Sequence, residues 1–244
     1  MKATLFLFLF FLCSVGFTQV QEKQNFPYLQ NNYDLVVMQV DSNVLKQASI
    51  LSNNQLNTEA LLDSLNQTGN NYLAFNAAPT DGLGNLIGLF IKNGQLNQPL
   101  NTASGNGNFF LKPNGFWGLG KNSVTIRSSD YFNNTSSYFQ AVQSGPMLLI
   151  DGKINPVFDP KSANKNIRIG IGTFSKNKID YILVVRSQTP VTFFDFASLF
   201  KDKFNCLNAL FLDGGDRSIL IMPSKTVRGS TNSTVSQLLL FKIM

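Results

Sequence analysis

An acid stands at the end of an apolar run in Asn208–Ser218 (NALFLDGGDRS), where Ala209, Leu210, Phe211 and Leu212 lead into Asp213, Gly214 and Gly215. The apolar run predicts a buried strand, and the two glycines free the backbone to turn with positive φ. Such a strand end fixes a carboxylate where bare glycine backbone lets a ligand approach and offers N–H groups to an anion. The alternative is a strand that ends in an ordinary Asp-Gly turn. Other polar clusters sit beside glycines or strand ends: Asn76 after Leu73-Ala74-Phe75, Lys112 after Gly107-Asn108-Phe109-Phe110, Gln143-Ser144-Gly145-Pro146, and Arg168 with Gly170 and Gly172. Each alone is turn chemistry; together they outline a site drawn from several chain segments.

The chain contains no histidine. A Ser/His/Asp triad, a Cys/His dyad and any zinc site needing imidazole are thereby excluded, and acid/base work falls to carboxylates assisted by Arg, Lys or Tyr. Only Glu22 and Glu59 are glutamates, and neither lies in a cluster. A second acid would have to be an aspartate, with Asp151 the first alternative; Asp151-Gly152-Lys153 also reads as a hairpin turn.

The elements that must hold these residues are mostly strands. Asp34–Val40, Tyr72–Phe75, Leu86–Ile91, Phe109–Leu111, Ser123–Arg127, Met147–Ile150, Arg168–Phe174 and Ile179–Val185 read as strands between Asn/Gly turns. Residues 57–70 read as a helix, with Thr58 as N-cap, Leu61, Leu62 and Leu65 on one face and Gly69 at its stop. In Phe193–Phe204, Phe193, Phe196, Ala197, Phe200 and Phe204 share a side at helical spacing, so this helix packs onto a sheet. Thr192 and Asp195 resemble a capping box there, a structural role for Asp195 set against a catalytic one. One β-α-β passage among many strands predicts an α+β fold, a single domain whose mostly antiparallel or mixed twisted sheet packs against a few helices.

Lys2 and the apolar run Ala3–Leu12 predict a cleavable secretory signal peptide over residues 1–18, too short for a membrane span. The product expected is a secreted or periplasmic domain over residues 19–244 with no stable membrane insertion. After cleavage only Cys206 remains, so no intramolecular disulfide forms. The formal charge of +6 comes from scattered Lys and Arg with no basic-aromatic stripe, which argues against nucleic acid and mildly favours phosphorylated or anionic glycans.

Taken in order, these clusters resemble the phosphodiester glycosidase family, that of the lysosomal uncovering enzyme, and most closely its small bacterial secreted branch. The resemblance runs from about Asn76 to Pro223. It rests on GNGNFFLKPNG (Gly105–Gly115), QSGPMLLIDGKINP (Gln143–Pro156), NIRIGIG (Asn166–Gly172) and PVTFFDFASLFKDKFNCLNALFLDGG (Pro190–Gly215). It implies a hydrolase that cleaves a sugar from a phosphodiester-linked glycoside; no organic cofactor is expected, and no metal ligands are assigned because no compact set of oxygen ligands is apparent in the sequence. The family's polar set falls on Asn76, Gln143, Ser144, Arg168, Asp213, Gly214, Gly215 and Ser218. Arg168 would clamp phosphate through its planar fork, Gly214 and Gly215 would add N–H donors, and Asp213 would be the acid, base or nucleophile. Two segments depart from the pattern. Asn76-Ala77-Ala78-Pro79-Thr80 lacks the family's glycine and aromatic residue, and Asp216-Arg217 follows Gly215 where small residues are usual. The competing reading is a non-catalytic glycan or phosphodiester-sugar binding protein on the same scaffold; a third is a metal-dependent phosphodiesterase using Asp213 and Asp216.

Overall fold

The protein is described from a computed structural model covering residues 20–69, 71–81, 83–133, 135–224, 226–228 and 234–243. The signal peptide expected over 1–18 and the side chain of Thr58 lie outside the described residues. The helix read from 57–70 spans Thr58–Gln67, with Gly69 at φ 66° beyond it.

The central layer is a seven-stranded sheet in the order Val20–Tyr28, Asn31–Gln39, Ile179–Ser187, Arg168–Lys176, Asn208–Gly214, Met147–Ile150, Lys153–Ile154. All of its neighbouring pairs are antiparallel. Both faces of its middle strands are buried, which is why their sequences run apolar rather than alternating. On one face lies the helix Phe193–Phe204. Thr192 Oγ1 accepts the Asp195 amide at 3.0 Å at its start, and Asn205 ends it in the left-handed conformation. Phe196 and Phe200 of this helix pack on Leu183, Val185, Ala209 and Phe211. The helix joins Ile179–Ser187 to Asn208–Gly214, two parallel strands with Arg168–Lys176 between them.

The other face of the central sheet meets two five-stranded sheets. One runs Thr226–Arg228, Ile219–Ile221, Asn71–Asn76, Thr234–Ile243, Ala48–Asn57; the other runs Gln95–Gln98, Phe90–Lys92, Gln140–Ser144, Gly115–Leu119, Val124–Ser128. Between the three sheets sits the main core, in which Ile169, Val184, Leu210 and Leu212 meet Phe75, Trp117, Val142, Leu220 and Phe241. Each such large side chain contributes about 1.5–3 kcal/mol by leaving water. Buried Trp117 donates its Nε1–H to the Ala77 carbonyl at 2.8 Å. The fold is thus α+β as expected, with its strands divided among three sheets.

The hairpin expected at Asp151-Gly152-Lys153 forms, and a second forms at Asn93-Gly94. Asn93-Gly94 and Asp151-Gly152 hold positive φ at both loop positions, the two-residue turn that matches strand twist. The strand expected at Phe109–Leu111 is instead one 3₁₀ turn, Asn108–Phe110. Gly107 at φ 95° starts that turn, and the Asn114 side-chain amide donates to the Phe109 carbonyl. The strand expected over Leu86–Ile91 is regular only in its last part, Phe90–Lys92.

Candidate active site

Along Asn208–Gly214, Ala209 and Phe211 face the helix while Leu210 and Leu212 face the main core. Simple alternation would send Asp213 to the helix side. It does not go there, because Ile169 pairs with Asp213 whereas Gly170 pairs with Phe211, leaving Leu212 as an extra, bulged residue. The Ser144 hydroxyl donates to the Phe211 carbonyl at 2.6 Å and holds this bulge from the neighbouring sheet. Asp213 therefore joins the face of Ile169. Across four adjacent strands Asp34, Arg186, Ile169 and Asp213 form one row.

Asp213 is partly exposed, and its Oδ1 accepts the Gly214 N–H at 2.8 Å. Desolvation pushes its carboxyl up to about 6, while Arg217 and the Gly214 N–H pull the other way. A carboxyl poised there can hold or release a proton near neutrality. The glycines beside it differ from the expectation of two positive φ values. Gly214 is extended at φ −173°; it must be glycine because a Cβ there would lie 2.3 Å from the Ile167 carbonyl oxygen. Only Gly215 turns left-handed, at φ 62°. Their N–H groups are both engaged within the protein, Gly214 with Asp213 and Gly215 with the Ile167 carbonyl at 2.9 Å. In this conformation they do not form the anion cradle expected of them.

Gly215–Arg217 is a single 3₁₀ turn. Ser218 closes it, sending its N–H (3.2 Å) and Oγ–H (2.7 Å) to the Gly215 carbonyl. Buried Asn76 fixes the far side: its Nδ2 donates to the Arg217 carbonyl at 2.9 Å and its Oδ1 accepts the Ile219 N–H at 2.8 Å. Arg217 is exposed, with Nη1 3.5 Å from Thr80 Oγ1. Behind this turn lies a residue the sequence reading missed. Buried Arg186 donates from Nε to Ser218 Oγ at 3.1 Å, and desolvation lowers its pKa while Asp34 raises it. Its one signal in the sequence is its place, since the run Tyr181–Val185 ends in Arg186 as Ala209–Leu212 ends in Asp213.

Arg168 is elsewhere. It packs on the helix face, 1 % exposed, with its guanidinium 3.5 Å above the Phe193 ring. Nε donates to the Val191 carbonyl at 2.9 Å and Nη2 to the Asn164 carbonyl at 3.3 Å, while Nη1 has no hydrogen-bond partner. Burial pulls its pKa down to about 10. Gln143 is an internal clamp: its Oε1 accepts the N–H groups of Leu89 (3.0 Å) and Asn101 (2.9 Å), and its Nε2 donates to the Asn101 carbonyl at 2.8 Å. Asp151 occupies its hairpin turn by Asn208, at the opposite end of the strand from Asp213. The structure thus gathers Asp213, Gly214, Gly215, Ser218 and Asn76, sets Ser144 behind them, and turns Arg168 and Gln143 to other tasks. Among the described residues no group of three His, Cys, Asp or Glu gathers as a metal site would require.

The sequence model of the phosphodiester glycosidase family matches residues 64–241. The uncharacterized protein YigE of Escherichia coli K12 is 40% identical over 155 residues, 64% of this chain and 60% of YigE; the match thus falls short of two thirds of that relative. Among solved structures, the catalytic domain of zebrafish N-acetylglucosamine-1-phosphodiester alpha-N-acetylglucosaminidase, auto-inhibited by its pro-peptide, superposes with a TM-score of 0.59 at 16% identity, covering 92% of this chain and 82% of that one. A hypothetical protein from Synechocystis gives a TM-score of 0.55 at 12% identity, over 91% and 62% of the two chains. At such identities the likeness is one of fold. The family model covers most of the chain, including every residue of the Asp213 corner from Asn76 to Ser218, and the chain belongs to the phosphodiester glycosidase family.

Proposed function

We propose that this protein hydrolyses the bond between the anomeric carbon of a sugar and a phosphodiester oxygen, with Asp213 as the group that handles the proton. The observation that carries this reading is the Asp213 carboxyl, fixed by a bulge at a strand end, partly open to solvent and raised to about 6. The family supports the reaction class, and the zebrafish enzyme of similar fold is named for N-acetylglucosamine-1-phosphodiesters. In the step proposed, a water oxygen bonds to C1 and the C1–O bond breaks. The electron pair leaves on the phosphate oxygen, and Asp213 accepts the proton released by the water. A phosphate leaving group is acidic enough to depart without a second carboxyl, so one well-placed base suffices. Residues 1–18 are proposed as the signal that exports the chain, which N-terminal sequencing of the exported protein would check.

Turnover of a panel of sugar-1-phosphodiesters by the wild type and by Asp213→Asn tests the reaction. Loss of about 10²–10⁴ in kcat is expected; equal rates would remove Asp213 from the chemistry. A second reading, a glycan-binding protein, is favoured by one observation. The polar groups of Asn76, Gln143, Ser144 and Ser218 are spent on holding main chain. Binding of the same panel without turnover would select it.

A further inference from the structure

We infer that the phosphate of the substrate is received on the Asp213 side of the central sheet by Arg217, with Arg186 behind it, and that Arg168 takes no part. This rests on the phosphodiester reading above and names the residues that would read the anion. A phosphate site is served by a guanidinium carried on a fixed main chain with its donors free. An exposed arginine in a loop ordinarily lacks the first property, because ordering both backbone and side chain costs entropy. Arg217 is different. Asn76 binds its carbonyl and the amide two residues on, and Ser218 closes the preceding turn onto Gly215, so the main chain is already set. Its contact with Thr80 is at the 3.5 Å limit and does not occupy the fork.

Position and charge agree. Arg217 ends the single turn that follows Asp213 and Gly214 on their strand, and its charge favours the ionised Asp213 carboxyl, so an anion at the guanidinium is received beside the strand end that carries the acid. Arg186 adds a second positive charge on the same face, tied through Ser218 to the same turn. Asp34 lies across the strand from Arg186; its Oδ1 accepts Gln188 Nε2 at 2.8 Å, and its Oδ2 has no hydrogen-bond partner. Exposed Asp216 adjoins Arg217 and weakens the field at the surface. Arg168 is sealed on the opposite face under Phe193.

Calorimetric titration of the full chain with inorganic phosphate reads this site without requiring turnover. N-acetylglucosamine 1-phosphate and a methyl glycoside lacking phosphate serve as the esterified and neutral arms. Arg217→Gln is expected to weaken both phosphate ligands about tenfold or more. Arg186→Met is expected to weaken them as well, with Arg186→Lys recovering part of the loss. Arg127→Gln, which removes an exposed charge stacked on Tyr131, should leave affinity within about twofold. Arg168→Lys should lower the thermal midpoint and keep the affinity. Wild-type affinity in Arg217→Gln, loss confined to Arg168→Lys, or no phosphate binding by the wild type would each overturn the inference. Phosphate binding that depends on Arg217, with no diester in the panel turned over, would uphold the anion site and remove the glycosidase reading.

Discussion

Arg168 and Asp213 occupy adjoining strands of one sheet and present their side chains to its opposite faces. The arginine stacks under an aromatic ring among apolar neighbours, and the carboxyl opens toward the rim of the main core. Proximity in the strand order therefore does not make them partners. Four expected outcomes follow from where each group is held.

Arg168→Met should act on stability. It removes two hydrogen bonds from a charged donor, one to the Val191 carbonyl, which keeps the Asn166 N–H at 3.1 Å, and a weaker one to the Asn164 carbonyl, a cost of about 1–3 kcal/mol. Removal of a desolvated cation offsets part of this. Urea denaturation is the measurement, and kcat/KM per folded molecule should stay within about threefold.

The Asp213 carboxyl titrates higher folded than unfolded, so the folded state holds the extra proton between the ordinary value of 3.8 and about 6. Its contribution to stability is therefore most favourable below that window and declines as pH rises through it. Asp213→Asn should remove this decline and be more stable than wild type at pH 7 by about 1–2 kcal/mol, a figure reduced for its open edge. Paired denaturation curves from pH 4 to 8 read the difference. If Asp213 is the base, wild-type kcat/KM should rise about tenfold per pH unit below 6 and level off above it; a fall over the same range would make it an acid.

Gly214→Ala should be far more damaging than Gly215→Ala. At Gly214 the new methyl meets main chain at 2.3 Å, and backbone must move, at about 3 kcal/mol or more. At Gly215 nothing lies within 4 Å, and the cost is about 1 kcal/mol for φ 62°. Thermal midpoints of the two variants compare them directly.

Asn76→Ala should loosen the loop that carries Arg217. The buried Ile219 N–H and the half-buried Arg217 carbonyl lose their partner, which costs about 2–3 kcal/mol. Amide exchange at Ile219 should accelerate strongly, while exchange in the helix Phe193–Phe204 follows only the global loss. Unchanged protection at Ile219 would show that the clamp is not what orders the loop.

Much of this arrangement was legible in the sequence. The bounds of Phe193–Phe204 and its Thr192 cap follow from apolar spacing and one hydroxyl, both local signals. Asn93-Gly94 and Asp151-Gly152 betray their hairpins because so few residues accept positive φ. Gly115–Leu119 and Gln140–Ser144 were not legible, since their burial comes from the sheets around them and their polar members are satisfied by distant segments, as Gln143 is by Leu89 and Asn101. The same holds for the site. Asp213 stands out by its position after an apolar run, and Asn76, Gly215 and Ser218 do join it. That Arg186 and not Arg168 shares its face depends on strand register, which has no trace in residue type.

Register also gives the bulge at Leu212 a meaning beyond local geometry. Strand positions have parity, and one supernumerary residue reverses the parity of all that follow it. Deleting a single residue between Phe211 and Asp213 would swap the carboxyl from the rim of the main core to the side of Phe193, beside the stacked arginine, with no change in its chemistry. A lineage carrying this strand can gain or lose its acid by counting alone. The Ser144 hydroxyl on the Phe211 carbonyl is the bond that keeps the count.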